Sequence, residues 1–419
     1  PHFPYTTLFR SLRLTHCYAA APNCSPSRTG LMTGRTPTRV GVLNWIPYYC
    51  PMHVRRSEIT IATLLRNSGY QTCHVGKWHL NGHFNSPLQP QPWDHGFDHW
   101  FSTQNNALPN HKNPVNFVRN GQEVGPLEGF AADLVVDEAV DWLDSKRTAD
   151  KPFFMFVCFH EPHEPIASAE RFTALYPSDD PSYSAHHGNV SQMDDAFGRL
   201  LDALDRHDLR SDTLVVFTSD NGPAITPMHP HGSAGPLREK KGHLYEGGIR
   251  VPGIIRWPNV IRENRESDQP VSGVDLLPTL CDIAGVQPPD DRALDGTSIR
   301  SLFDGNRVNR QQPLYWHFIR ANSEVKVAMR DGPWKILARL DTPPIGPGGG
   351  LTEQDMIALK SSALTDFELY RIDHDGSETD EVGGKHPETF DRLRKSLIKL
   401  HREVSEEAPT WPEWEFARY

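Results

Sequence analysis

Leu214-Val215-Val216-Phe217-Thr218-Ser219-Asp220-Asn221-Gly222 is an apolar run that ends in a carboxylate, an amide and a glycine. The run reads as a buried strand, and Asp220-Asn221-Gly222 as the turn at its C-terminal end. A carboxylate beside an amide on such a turn suits a hard cation held by oxygens. Upstream, Pro152-Phe153-Phe154-Met155-Phe156-Val157-Cys158-Phe159 is apolar on both faces, as expected of a central parallel strand buried on both sides. It ends in His160-Glu161-Pro162-His163-Glu164-Pro165. Earlier still, residues 57–69 read as a capped amphipathic helix closed by glycine. The short strand Tyr70–Val75 follows, and then Gly76-Lys77-Trp78-His79. Three strands finishing in polar residues point to an open α/β sheet, where ligands bind at the carboxyl ends of the strands.

The chain has 419 residues and a net charge of -10. That length allows one large domain or a large domain with a smaller partner. The acidic balance argues against a nucleic-acid partner while leaving room for a local cationic pocket. No apolar run approaches the roughly 20 residues of a membrane helix. The six cysteines show neither a CxxC pair nor metal-ligand spacing, so the chain is not a disulfide scaffold. Cys73 and Cys158 lie inside apolar runs and read as core.

Asn23-Cys24-Ser25-Pro26-Ser27-Arg28-Thr29-Gly30-Leu31-Met32-Thr33-Gly34-Arg35 reads as a polar loop opening a helix. Ser25-Pro26 fits the cap and first turn, and Arg28 lies one helical turn after Cys24 on the same face. Cys24 therefore sits at a positive helix end beside a guanidinium, a setting suited to developing anionic charge. Cys-x-Pro-Ser-Arg followed by Thr-Gly-Arg resembles the signature of the type I sulfatases of the alkaline phosphatase superfamily. Gly69 through His79 resembles that family's second signature, and His160–Pro165 its Pro-His-x-Pro loop. Leu237–Pro252 looks like its Gly-x-Lys segment before Glu-Gly-Gly-x-Arg-Val-Pro; counting back from Glu246 selects Lys241 over Lys240.

The resemblance implies a sulfuric ester hydrolase. Cys24, oxidised by a formylglycine-generating or sulfatase-maturating enzyme, supplies formylglycine, whose hydrate is the nucleophile. Calcium is expected on Asp220 and Asn221. Arg28 and Lys77 are expected to hold the hydrated aldehyde and the metal-side charge. Lys241 and His163 are expected to grip sulfate oxygens, His163 to protonate the leaving oxygen, and His79 to act as base when sulfate is eliminated. Ser102, after Gly96–Phe101, stands where family members often carry a cleft hydroxyl. His160 reads as a packing residue, because the prolines around it forbid a zinc-binding helix. Asp194-Asp195 lies within a long helix, residues 184–209, where neighbours point about 100° apart and cannot share an ion.

Residues 81–125 hold many Pro, Asn, His and Gly and little periodicity. A loop of that length is usually functional, and it reads as a wall of the cleft. The Trp, His and Asn content of residues 93–117 suits a sugar ring, which favours a sulfated polysaccharide or glycosaminoglycan fragment as substrate. A phosphodiesterase or phosphonate hydrolase of the same superfamily is the rival enzyme, and a non-catalytic sulfated-glycan binding protein the rival of another class. A periplasmic or secreted location is what the family implies.

The fold expected is α/β: a central, mostly parallel mixed sheet sandwiched by helices in the alkaline phosphatase-like arrangement. A smaller C-terminal subdomain of antiparallel sheet plus helix follows, with strands near 314–318, 326–330, 334–337 and 367–372 and a final helix at about 388–404. Residues 1–11 resemble a translated sequencing adapter and read as a non-native leader; residues 12–312 read as the catalytic domain and 313–419 as the subdomain. In the family, a first strand ending in paired aspartates precedes the equivalent of Leu12, so the chain reads as truncated at its N-terminus, with calcium affinity expected to fall steeply and the activity of the fragment to fall with it.

Overall fold

The computed structural model describes residues 11–227, 230–262, 264–343, 345 and 349–414. Residues 1–10, most of the segment read as a leader, lie outside the described residues, and Ser11 opens the first strand, β1 (Ser11–Leu14). The first sheet contains β2 (Gln71–Lys77), β3 (His99–Thr103) and β4 (Phe153–Cys158). β2 is central and parallel to both neighbours, with Gly76 opposite Ser102 on one side and Cys158 on the other. A small hairpin, Val118–Arg119 with Gln122–Glu123, extends it beyond β3. Gly76 has φ +95°, and a Cβ there would stand 1.9 Å from the Cys158 carbonyl oxygen. Only glycine lets the two strand ends approach so closely.

The second sheet is built on β5 (Val215–Thr218), β6 (Gly253–Arg256) and β7 (Arg265–Ser267), in the order β7-β1-β6-β5. β1 runs parallel to β7 and antiparallel to β6. The architecture is thus mixed α/β, with the parallel part concentrated in β2, β3 and β4. One expectation fails. β4 is an outer strand of its sheet and its side chains are mostly half-buried. β5 likewise ends its sheet, with Val216 exposed. Among the described residues no strand pairs with the outer edge of either. An apolar run reports what a strand can bury, and not which of its edges finds a partner.

Helix α1 (Cys24–Thr33) starts two residues earlier than its spacing predicts. The Asn23 carboxamide oxygen accepts the Cys24 amide at 2.9 Å, so Asn23 is the cap and Cys24 the first helical residue. Gly34, at φ +68°, ends the helix. Helix α2 (Ile61–Asn67) is capped by Thr60 and shorter than the patterned stretch. α3 (Ala131–Asp141) packs on α4 (Pro181–Arg206), where Arg199 reaches Asp133 and Asp137 at 2.9 and 2.7 Å. Asp194 and Asp195 lie within α4, and Asp195 pairs with Arg171. α5 (Leu276–Ala284) packs against α1 and α2.

From Leu314 onward the pattern changes. β8 (Leu314–His317), β9 (Val325–Asp331), β10 (Trp334–Leu340) and β11 (Leu364–Arg371) form an antiparallel sheet in chain order. Helix α6 (Pro387–Glu407) covers it with Leu393, Leu397, Leu400 and Val404. That spacing places one apolar stripe on Val327, Met329, Ile336 and Ala338, and each buried aliphatic side chain contributes roughly 1.5–3 kcal/mol. The other face of this sheet shares a core with the preceding chain: Trp316, Ala328 and Leu337 pack with Tyr18, Leu244 and Ile249.

Candidate active site

The site begins at the mouth of α1. Cys24 is buried, and its thiol faces Lys241, Lys77, His163 and His79. Burial alone would raise the thiol, but the two ammonium groups and the contacts from the two rings hold it well below its ordinary range. These residues come from four places: the start of α1, the end of β2, the loop after β4 and the segment before Glu246. Each of the three sheet strands expected to deliver polar residues ends at this one point.

Arg28 is buried one turn into α1. Its Nε donates to Asp220 Oδ2 at 3.0 Å and its Nη1 to the Lys77 carbonyl at 2.8 Å. Burial would lower the guanidinium, but Asp220, Cys158 and Cys24 together outweigh it, so the shift is upward. Arg28 therefore stays charged and joins α1, β2 and the turn after β5. Burial lowers Lys77, partly offset by the Cys24 charge. Lys241 is likewise buried, yet Cys24, Asp220 and Glu164 together raise it. The adjacent Lys240 turns away and donates to the Ile225 carbonyl at 2.9 Å.

His79 sits at φ +57°, a left-handed conformation uncommon outside glycine. Such backbone persists only where its surroundings over-determine it. His79 Nε2 donates to the Ile46 carbonyl at 3.1 Å, and the Ile46 amide donates to Ser25 Oγ at 3.0 Å. Burial, followed by the charge of Lys77, lowers the ring to about 4. The ring is therefore neutral at pH 7. With the proton on Nε2, the Nδ1 lone pair is left for the group at position 24. His163 Nδ1 donates to the Glu164 carbonyl at 2.8 Å, which leaves Nε2 for the thiol side.

Asp220 and Asn221 stand on the turn after β5, next to Gly222. A Cβ on Gly222 would lie 1.9 Å from the Gly247 carbonyl oxygen, and the Gly222 amide donates to Gly248 O at 2.9 Å. The turn is thus locked against the Glu246-Gly247-Gly248 segment. Asn221 Oδ1 is buried without a hydrogen-bond partner. It and the Asp220 carboxylate are two oxygens of the type a hard cation takes. Among the described residues no group of three acidic, His or Cys side chains is gathered for a metal. Calcium takes six to eight oxygens, so these two fit part of a shell.

Ser102 is not a cleft group. It is fully buried in β3, opposite Gly76, and its hydroxyl lies 2.7 Å from His74 Nδ1. The strand turns it into the sheet core, where it serves a buried imidazole. His160 also faces inward, with Nε2 at 2.8 Å from Thr103 Oγ1. Asn106 is a neighbour of the site that the sequence reading missed. Its Oδ1 accepts from Lys77 Nζ at 3.5 Å, its Nδ2 donates to Glu164 O at 3.0 Å, and that nitrogen lies 3.2 Å from His163 Nδ1. It lies in the aperiodic stretch 81–125, where spacing carries no signal. Cys158, read as core, is buried and also touches Arg28.

A buried cysteine among two lysines, an arginine and two imidazoles marks a pocket that can hold a tetrahedral anion and move protons at two places. Residues 1–286 match the family model described as Sulfatase, and residues 239–337 that described as N-sulphoglucosamine sulphohydrolase, C-terminal. The chain belongs to the sulfatase family. It is 32% identical over 340 residues to an N-acetylgalactosamine-6-sulfatase of Rattus norvegicus, a match covering 74% of this chain and 62% of that protein. An arylsulfatase of Hemicentrotus pulcherrimus is 29% identical over 422 residues, covering 95% and 71%. In fold, the chain resembles the crystal structure of Ps i-CgsB in complex with k-i-k-neocarrahexaose, with a TM-score of 0.80 at 23% identity over 97% of this chain and 87% of that one. The match thus spans about three-fifths of the length of the mammalian sulfatase. No helix among the described residues of this sulfatase-family chain is long and apolar enough to cross a membrane.

Proposed function

We propose that the protein hydrolyses a sulfate ester of a sulfated carbohydrate, with position 24 as the nucleophile. The observation that carries this reading is the convergence of Lys77, His79, His163 and Lys241 on one buried cysteine at a helix start. Matured to an aldehyde and hydrated, position 24 supplies one hydroxyl to attack sulfur and a second whose ionisation expels sulfate. The surroundings fit that group, since a pocket that stabilises a thiolate also stabilises an alkoxide.

Lys241 and His163 grip the sulfate oxygens. His163, protonated on Nε2, gives that proton to the leaving sugar oxygen. His79 Nδ1 takes the proton from position 24 when sulfate leaves. Lys77 holds the oxygen at position 24, and Arg28 orients the Asp220 carboxylate through its 3.0 Å contact. Asp220 and Asn221 would hold calcium, which when bound would polarise the sulfate; no step above depends on it. The sulfated-sugar assignment is favoured by the names of the relatives and by the aromatic and amide content of residues 93–117. A periplasmic or secreted location and a maturating enzyme as partner follow from the same reading. Residues 12–312 would form the catalytic domain, and 313–419 a subdomain.

The test combines mass spectrometry of the peptide carrying Cys24 with sulfate release from sulfated mono- and oligosaccharides. Conversion of the thiol to an aldehyde, release of sulfate and loss of both in Cys24→Ala are expected. A phosphate diester cleaved in preference to every sulfated sugar would overturn the substrate class. Activity that survives Cys24→Ala would overturn the nucleophile.

A further inference from the structure

Tyr48 and Tyr49 are 41% and 67% exposed, between Ile46 and Cys50, which are both completely buried. Two neighbouring tyrosines in water need a reason, and this loop is anchored rather than loose. The Ile46 carbonyl accepts from His79 Nε2 and from Gln104 Nε2. Gly82 is pressed against the loop, so that a Cβ there would lie 2.4 Å from Cys50 O. The Tyr49 amide donates to Gly82 O at 2.9 Å, and this holds Tyr49 at φ +65°. A bulky residue in the left-handed region is a genuine outlier, and here it raises an aromatic ring into solvent.

The rings adjoin with their planes inclined, by 50° between Tyr48 and Tyr49, so each offers its own face. Tyr48 and Tyr49 have centroids 6.2 Å apart, and the His83 ring stands edge-on to Tyr49 at 5.8 Å. The Tyr48 hydroxyl faces the Asn116 amide. Leu108 and Val115, joined by a 2.8 Å backbone hydrogen bond, are also exposed beside Asn116. Clustered exposed apolar groups mark a binding surface more often than chance. The patch is continuous with the active site: Asn116 Nδ2 donates to Asn106 O at 2.9 Å, and Asn106 touches both Lys77 and His163.

We propose that Tyr48 and Tyr49 form a stacking platform for the sugar residue next to the sulfated one, with Asn116 and His83 as its hydrogen-bonding edge. This rests on the carbohydrate reading above. A pyranose ring offers an apolar C–H face to an aromatic ring and hydroxyls to an amide and an imidazole, which is the chemistry this patch presents. A rigid platform loses little entropy on binding.

The experiment measures binding by calorimetry on the full chain. The probes are sulfated tetrasaccharides of chondroitin, heparin and carrageenan, with their sulfated monosaccharides as references. The variants are Tyr48→Ala and Tyr49→Gly. The latter removes the ring and relieves the left-handed backbone at once, so loss of fold is not a concern. Each should weaken the best tetrasaccharide about tenfold and leave the monosaccharide within twofold, while Tyr48→Phe keeps wild-type affinity. Tetrasaccharide binding indifferent to both variants, or equal loss for both ligand sizes, overturns the platform and leaves the sulfatase reading standing. Failure of the wild-type protein to bind any sulfated sugar overturns both.

Discussion

Lys335 is completely buried and bridges two buried carboxylates, with Nζ 2.9 Å from Glu246 Oε1 and 2.8 Å from Glu378 Oε1. Glu246 begins the segment that locks the Asp220 turn, and the Glu378 carboxylate accepts the Glu246 amide at 2.6 Å. Tyr18 donates to the other Glu246 oxygen at 2.7 Å and is itself approached by Arg330. Lys335→Met keeps the volume and removes the charge, leaving the pair of carboxylates without its central cation. Breaking a buried ion pair in this way costs about 3–5 kcal/mol. With an unfolding entropy of about 2.1 cal/mol/K per residue, the loss should lower the melting temperature by roughly 3–6 °C for a chain of this size.

The cost should depend on pH. Burial, assisted by Glu246 and opposed by Lys335, pushes Glu378 up to about 7. A carboxyl raised on folding contributes stability that is full below its unfolded range and is lost as pH rises through about 7. Lys335 lowers Glu378, so its removal moves the carboxyl further up, and the variant goes on losing stability above pH 7 where the wild type no longer does. The assay is differential scanning of wild type and variant at both values. A deficit of under 1 °C at pH 8, or one that is no smaller at pH 5.5, would refute the reasoning.

Lys241→Ala should reduce kcat/KM for sulfate release at least a hundredfold, whereas Lys240→Ala, which loses only a bond to a carbonyl, should stay within threefold; steady-state kinetics on both variants decides it. Ser102→Ala should leave kcat/KM within twofold and cost about 1–3 kcal/mol in urea unfolding, because it strips a buried imidazole of its partner; an activity loss without a stability loss would restore Ser102 to the cleft. His79 is lowered to about 4, so its base form exists above that pH and is lost as pH falls through it. The acid limb of the sulfate-release step, followed by single-turnover kinetics, should therefore lie near 4, and a limb near 6.5 would refute the neutral-base assignment.

Local pattern decided a good deal of this protein. A short strand-like run after a capped helix and two apolar runs located β2, β4 and β5, and the polar residues after them all lie at one end of the sheets, because a strand that finishes in Lys77, His163 or Asp220 can only deliver them there. The cap-then-helix pattern at Asn23–Arg28 placed Cys24 and Arg28 one turn apart, with an error of two residues in the cap because Asn and Ser cap almost equally well. The final helix expected at about 388–404 is found at Pro387–Glu407. What sequence spacing could not decide were contacts between distant, aperiodic segments. Asn106 meets Lys77 and His163 only through the course of a long loop. Ser102 is turned away from the cleft by its register opposite Gly76. The outer edges of β4 and β5 depend on sheet order, which an apolar run does not encode. The seam between Trp316 and Tyr18 likewise exists only because the second face of the C-terminal sheet packs on the preceding chain: side-chain period tells which face is apolar, and tertiary packing alone tells what that face meets.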